Sequence, residues 1–371
     1  MKLAFALFKY FPYGGLQRDM LAIARTAAAR GHDVTIYASE WQGEQPIDLP
    51  VELLPVRALS NHSHDARFAH QLQERLAGSS AVVFGFNKMP GLDFYYAADS
   101  CFAAKAYEQR NWLYRRSRRC RQYLALERAV FGPDSHTEIL LISAPEQAVY
   151  ERYYHTPAVR LHLLPPGIRR DRIMPDNYPA RREALRREHG LADSDRLLLF
   201  VGSGFRTKGL DRAIAALAAL PPALRETTQL WVVGQDKFAP YQKLADKRGV
   251  AQRVQFLGGR DDIAELLWSG DLLIHPAYRE NTGTVLLEAM IAGLPIVTTS
   301  ACGYAGYVRD HDMGTVLAEP TTTGLATATA ELLEIPREQW VARGRQFAAT
   351  ADIFDMPTRA VELIERLGPA A

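Results

Sequence analysis

Two carboxylates eight positions apart, Glu280 and Glu288, bracket the segment Glu280-Asn-Thr-Gly-Thr-Val-Leu-Leu-Glu288, which runs on into Ala-Met-Ile-Ala-Gly293-Leu-Pro295. Asn281 to Thr284 read as a helix N-terminus, whose free N–H groups and dipole attract an anion such as a pyrophosphate without help from a metal. Glu288, one to two turns into that helix, can accept two hydroxyls from a ribose, and Glu280 can accept hydroxyls from a sugar. The same pattern also describes two surface glutamates on an amphipathic helix. The position just after a strand ending in His275-Pro276 favours chemistry, because ligands of parallel α/β sheets bind beyond the carboxyl ends of the strands.

Arg206 and Lys208 sit in the loop after the apolar run Leu197–Val201. They can neutralise a departing diphosphate. The alternative is a pair of solvated charges, but a cation at a helix N-terminus opposes the dipole, which asks for a reason. Gly14-Gly15 follows a strand and opens a helix, and it reads either as a tight turn or as a close backbone approach to a phosphate or sugar. Several familiar motifs are missing. Gly202-Ser-Gly204-Phe-Arg-Thr207 lacks the third glycine of a dinucleotide site, and Lys208 precedes Gly209 instead of following it as in a P-loop. The D-x-D tripeptides at 193–195 and 310–312 do not follow apolar strands, so they read as loop carboxylates and not as a metal site. His62 and His64 read as loop histidines.

The elements that would hold these residues form two blocks of alternating strand and helix. The first runs from Leu3–Phe8 to Leu161–Leu164, and the second from Leu197–Val201 to Ile296–Thr299. The charged stretch from Arg169 to about Ser194 reads as a linker with one surface helix. Alternation of this kind means βαβ units and parallel sheets. The expected architecture is α/β, with two doubly wound Rossmann-like domains facing across a cleft. The chain has 371 residues, 47% hydrophobic and 23% charged, an ordinary globular mix. A net charge of +2 gives no reason to expect a nucleic-acid partner. Three cysteines without a C-x-x-C pair argue against a disulfide framework and fit a reducing compartment. The opening apolar run is too short for a signal peptide, and no apolar run approaches the ~18 residues of a membrane span. A cytoplasmic protein is expected.

One segment departs from the even charge balance. Ala104–Pro133 carries eight basic residues against Glu108 and Glu127, a local +6. At ~100° per residue, Trp112, Leu113, Cys120, Tyr123, Leu124, Val130 and Phe131 fall on one arc of a helical wheel, and most arginines fall on the rest. Arg116 and Glu127 intrude on the apolar arc. The segment reads as a helix lying on the anionic inner membrane, or as a core-packing helix with a solvated basic face.

The Glu280-x7-Glu288 pattern with Gly293-Leu-Pro295 resembles the signature of retaining GT-B glycosyltransferases of family four. Phe8-Lys-Tyr-Phe-Pro-Tyr-Gly-Gly-Leu-Gln-Arg-Asp19, Gly85-Phe-Asn-Lys-Met-Pro-Gly-Leu-Asp93, Ala98-Asp99-Ser-Cys101, Leu164-Pro-Pro-Gly-Ile168, Val232-Val-Gly-Gln-Asp-Lys237 and Cys302-Gly-Tyr-Ala305 resemble the lipopolysaccharide core glucosyltransferase I family of Gram-negative bacteria. The likeness covers nearly the whole chain. It implies transfer of a hexose, glucose by default, from a UDP-hexose donor to inner-core heptose, with retention and with no metal or other cofactor. It implies an acceptor-binding domain of residues 1–168 plus 352–371 and a nucleotide-sugar-binding domain of residues 169–351. It also implies a place on the cytoplasmic face of the inner membrane.

Residue by residue, the resemblance gives Glu288 the ribose and Glu280 the hexose. Asn281, Thr282, Gly283, Thr284 and Val285 would supply backbone amides, and Gly15 would approach the diphosphate. Lys208 and Arg172 would lie by the phosphates and Arg260 by the uracil. Asp19 and Asp99 would stand where donor meets acceptor. Two positions depart from the family. Thr207 stands where an arginine precedes the lysine, with Arg206 one place earlier. Asn281-Thr282 replaces two small apolar residues, which leaves an amino- or N-acetylamino-hexose donor open. A nucleotide-sugar 2-epimerase shares the two-domain architecture, and the non-enzyme alternative is a nucleotide-sugar-binding or membrane scaffold protein.

Overall fold

The computed structural model describes residues 1–12 and 14–368. Tyr13, inside the Phe8–Asp19 motif, and residues 369–371 of the expected first domain lie outside the described residues. The chain divides into two compact units, Met1–Gly167 with Asp355–Ala371, and Ile168–Phe354. The boundaries read from sequence, 168/169 and 351/352, fall one and three residues from these.

The first unit is built on β1 (Lys2–Tyr10), β2 (Asp33–Trp41), β3 (Val51–Leu53), β4 (Val82–Gly85), β5 (Phe94–Ala97), β6 (Glu138–Leu141) and β7 (Leu161–Leu163). They form one parallel sheet in the order β3-β2-β1-β4-β5-β6-β7. Leu3 to Leu7 are buried without a break because both faces of β1 are covered. Leu3, Phe5 and Leu7 enter one cluster, and Ala4 and Ala6 enter another on the opposite face. Helix Gly15–Ala29 packs Met20, Ile23, Ala24 and Ala27 into the first cluster, and so does the amphipathic helix Met356–Leu367 through Met356, Ala360, Val361 and Ile364. That apolar face is why the end of the chain belongs to the first unit.

The second unit repeats the plan with β8 (Arg196–Val201), β9 (Thr228–Val233), β10 (Val254–Gly258), β11 (Leu272–His275), β12 (Ile296–Thr299) and β13 (Gly314–Leu317). Their order is β10-β9-β8-β11-β12-β13, again parallel throughout. In each sheet the strand order reverses once, between β1 and β4 and between β8 and β11. A parallel sheet leaves its ligand crevice at the carboxyl ends of such a pair.

Several expectations change. The Arg169–Ser194 stretch carries the expected surface helix, Tyr178–Glu188, but its apolar residues pack into the second unit instead of forming a free linker. Ile168, Met174, Leu185 and Leu191 join its core. Arg182 and Arg186 reach Asp271 at 2.6 and 3.2 Å, and Asp271 also accepts the Leu197 N–H. His62 and His64 lie in helix Asn61–Leu76, not in a loop. His64 and Asp65 are buried in that helix, their side chains 3.1 Å apart.

The basic segment is no single helix. It breaks into Phe102–Gln109, Trp112–Arg116 and Arg118–Phe131. Asn111 and Ser117 restart the chain as N-caps, accepting the Tyr114 and Cys120 N–H groups. The break separates the expected apolar arc. Cys120, Val130 and Phe131 enter the core, while Trp112 and Leu113 are 55% and 61% exposed. Glu127, out of place on the wheel, is fully buried, where it accepts the Phe102 and Ala103 N–H groups, the Tyr154 hydroxyl and the Lys88 ammonium. Among the described residues, no helix is long and apolar enough to cross a membrane. The three cysteines are buried and free.

Candidate active site

The crevice of the second sheet gathers the residues singled out above. After β8 the chain turns through Gly202-Ser203-Gly204 into one helical turn, Phe205–Lys208. The next helix begins at Leu210. Lys208 therefore ends a turn whose carbonyl end favours a cation, and the dipole argument for a special role falls away. Geometry supplies a better one. The Lys208 ammonium forms a close ion pair with the Glu280 carboxylate, 72 residues away in the chain. Gly202 makes room for it, since a Cβ there would stand 2.8 Å from Lys208 Cδ at a backbone φ of +133°.

Glu280 is clamped by its own backbone. Its N–H bonds Ala301 O, its carbonyl accepts the Gly303 N–H, and it forms an isolated parallel bridge with Cys302. Burial would raise its carboxyl, but the approach of His275 and the charge of Lys208 outweigh that and bring it down to about 2. The group stays ionised, an acceptor for sugar hydroxyls. His275, the last residue of β11, is fully buried with Nε2 3.5 Å from Glu280 Oε2. Burial lowers its pKa and keeps the ring neutral. From the sequence alone His275 reads only as a strand end. Its place at the carboxyl end of a strand, five residues before Glu280, was the available signal.

Beyond Glu280 the helix runs Thr284–Ile291, so its N-terminus is at Gly283 and Thr284, while Asn281 and Thr282 belong to the preceding loop. Gly283 caps it at φ +84°, a conformation that favours glycine. The first N–H groups of the helix have no partner within it. Glu288 is buried on this helix, and Arg172 Nε lies 3.8 Å from its Oε1, near enough for charge attraction and too far for a hydrogen bond. The structure thus brings together Lys208 with Glu280 and Arg172 with Glu288. It leaves Arg206 exposed. Arg260, at the carboxyl end of β10, is held by Asp262 through contacts of 2.7 and 2.5 Å.

The first unit carries the remaining candidates. Gly15 is the first residue of helix Gly15–Ala29, and a Cβ there would meet nothing within 4 Å, so packing does not require a glycine. Asp19, on the same helix, accepts the Tyr96 hydroxyl at 2.9 Å and an Arg18 N–H at 3.2 Å. Burial nevertheless raises its carboxyl above the ordinary value, against both of those contacts. Asp99 is exposed just beyond β5, and its carbonyl accepts the Tyr150 hydroxyl. Neither D-x-D tripeptide joins a metal-ligating group; among the described residues no cluster of three His, Cys, Asp or Glu side chains is placed to hold a metal.

Residues 181–347 match the family described as glycosyl transferases group 1. The lipopolysaccharide glucosyltransferase WaaG of Escherichia coli (strain K12) is 44% identical over 368 residues, 98% of each chain. A crystal structure of WaaG, a glycosyltransferase involved in lipopolysaccharide biosynthesis, superposes with a TM-score of 0.91, covering 98% of this chain and 99% of that one. Anabaena Alr3699/HepE in complex with UDP-glucose shares the fold at 19% identity and a TM-score of 0.76, covering 99% of this chain and 100% of that one. Identity at this level, sustained along almost the full length of both proteins, places the chain in the lipopolysaccharide glucosyltransferase family, among hexosyltransferases of the GT-B fold.

Proposed function

We propose that the chain transfers a hexose, glucose by default, from UDP-hexose to a heptose of the lipopolysaccharide inner core, with retention and without a divalent metal, at the cytoplasmic face of the inner membrane. The observation that carries this reading is the Lys208–Glu280 pair at the β8–β11 switch point, in a chain 44% identical to a lipopolysaccharide glucosyltransferase. That identity favours transfer over epimerisation.

An ammonium has three hydrogens, so Lys208 can hold Glu280 and a diphosphate oxygen at once. Charge grows on the leaving diphosphate as the glycosidic bond breaks. Lys208, Arg172 and the N–H groups at Gly283, Thr284 and Val285 would meet that growing charge. Glu280 would accept hexose hydroxyls and Glu288 ribose hydroxyls, with Arg172 beside the Glu288 carboxylate. Arg260 would lie by the uracil and Gly15 by the diphosphate. Asp19 and Asp99 would face the acceptor. The leaving phosphate oxygen would help take the acceptor proton on the same face, so the protein acts by positioning and by electrostatics.

The acceptor is anchored in a bilayer, and the basic segment supports a place there. Tyr107, Trp112 and Leu113 are 50%, 55% and 61% exposed. Arg110, Arg116, Arg118 and Arg121 are exposed around them. Aromatic and aliphatic side chains ringed by arginine suit the headgroup layer of an anionic membrane.

The test measures UDP release from UDP-glucose, UDP-galactose and UDP-N-acetylgalactosamine with heptose-terminated lipopolysaccharide. Turnover with UDP-glucose, the same in excess EDTA as in magnesium, is expected. Preference for a galactosamine donor would trace to Asn281-Thr282. A loss beyond tenfold in EDTA that manganese restores would overturn the metal-free reading, and no release with any donor would overturn the assignment.

A further inference from the structure

The first unit holds a cavity of about 380 Å³ that the donor chemistry leaves unused. Phe8 of β1, Asn87 just after β4 and Asp99 just after β5 line it. It therefore opens at the carboxyl ends of those strands, the ligand edge of a parallel sheet.

The charges around it fall into two classes. Lys88 is paired from within, and Asp65 is hydrogen-bonded but keeps its charge. The Lys88 ammonium lies 2.5 Å from the buried Glu127 carboxylate, and Asp65 accepts the Tyr123 hydroxyl at 3.2 Å and lies against His64. Lys105 and Arg119 come from different helices, Phe102–Gln109 and Arg118–Phe131, and converge on the same cavity. Among the described residues neither meets a carboxylate; Arg119 stacks 5.8 Å above the Tyr123 ring. Phe102 and Tyr123 form an aromatic wall, their rings 5.4 Å apart. Asn87 uses its side-chain oxygen on the Phe8 N–H at 2.7 Å, which turns its two N–H donors to other uses. Asp99 adds an exposed acceptor.

Two cations without an ion pair, an aromatic wall and a few hydroxyl partners suit a carbohydrate that carries an anionic group. We propose that this cavity binds the anionic group, phosphate or carboxylate, of a hydroxyl-rich acceptor sugar, with Lys105 and Arg119 on the anion, Asn87 and Asp99 on hydroxyls, and Phe102 and Tyr123 against the ring. The proposal rests on the transferase reading, because the ligand is that enzyme's acceptor. It also divides the basic segment by direction: Arg116 and Arg118 belong to the bilayer face, Lys105 and Arg119 to the cavity.

The probe is the deacylated oligosaccharide of heptose-terminated lipopolysaccharide, which removes the membrane from the measurement. It is titrated calorimetrically into the full chain without donor, in three forms: intact, phosphatase-treated and carboxyl-reduced. Wild type binds the intact form, and Lys105→Gln/Arg119→Gln binds it at least tenfold more weakly while keeping its UDP affinity. Arg116→Gln/Arg118→Gln binds it as wild type does. Stripping the recognised anion weakens wild type by the same factor and costs the cavity variant nothing further, which tells phosphate from carboxylate. The proposal is overturned if wild type does not bind, if the cavity variant binds normally, or if wild type binds both stripped forms undiminished. Wild type that binds the oligosaccharide but transfers no hexose would sink the transferase reading and leave the cavity standing. Wild type that transfers while the cavity variant binds normally would do the reverse.

Discussion

Both sheets carry candidate carboxylates at their ligand edges, and the fold tunes one of each, Glu280 and Asp19, in opposite directions. Glu280 of the second unit sits beside a lysine and a neutral histidine and is held down at about 2. Asp19 of the first unit has a tyrosine hydroxyl and one arginine, yet burial still raises it. The difference extends to the surroundings. Lys208 with Glu280 and Arg172 with Glu288 are already matched within the second unit. The first unit leaves Lys105, Arg110, Arg116, Arg118, Arg119 and Arg121 exposed. A small donor of constant shape suits a site whose charges are set in advance. A large, membrane-anchored acceptor suits cations that wait for their counter-charge outside the protein.

The sharpest way to break this contrast is Lys208→Ala. It removes the cation facing the diphosphate and leaves Glu280 with a neutral histidine alone. Turnover should fall roughly 100- to 1,000-fold, as when one preorganised charge-stabilising donor is lost, while UDP affinity falls less than tenfold. Equal losses in affinity, with normal turnover, would make Lys208 a binding residue only.

On the first unit, Arg110→Gln/Arg116→Gln/Arg118→Gln/Arg121→Gln should cut binding to phosphatidylglycerol vesicles by up to about a thousandfold, since each arginine near an anionic surface is worth ~1 kcal/mol. High salt should release the wild type, and UDP affinity should not change. Equal sedimentation of variant and wild type would leave the basic face merely solvated.

Acid stability separates the two carboxylates directly. Glu280 has a depressed pKa when folded, so its contribution is complete above about 4.5, the ordinary glutamate value, and disappears as pH falls toward about 2. Its size is up to about 3 kcal/mol. Thermal melts should therefore show Glu280→Gln less stable than wild type at pH 7, with the gap closing below pH 4. Asp19 is raised, so its penalty on folding builds as pH rises through the ordinary aspartate value and is complete above the folded pKa. Asp19→Asn should accordingly be more stable than wild type at neutral pH. Two variants that shift in the same direction would remove the contrast.

The smallest expected effect is at the ribose. Glu288→Ala should weaken UDP binding by more than about tenfold, from a hydrogen bond to a charged acceptor worth roughly 1.5–3 kcal/mol. Unchanged calorimetric affinity would place Glu288 elsewhere.

The sequence carried the architecture well where period and turn agreed. Leu197–Val201, Leu272–His275 and Ile296–Thr299 are apolar runs with clear stops, and each is a strand. Phe94–Ala97 escaped because four apolar residues among polar ones have no period to distinguish them. Helix Asn61–Leu76 escaped because its buried face holds His64 and Asp65, and Asp65 finds its partner Tyr123 on another helix. Glu127 looked like an error on a helical wheel, since its partners Lys88 and Tyr154 come from other elements. The site was legible as residue types and as loops. Its pairings were not: spacing along the chain says nothing of Lys208 meeting Glu280 across a reversal of strand order.

One measurement goes to the centre of the account: the anomeric configuration of the product made from UDP-glucose and heptose-terminated lipopolysaccharide, read from the coupling of the new anomeric proton. A single new α-glucoside on heptose is expected, the configuration of the donor kept, formed by the wild type and lost in Lys208→Ala. A β-glucoside, or free glucose with no glycoside, would contradict it.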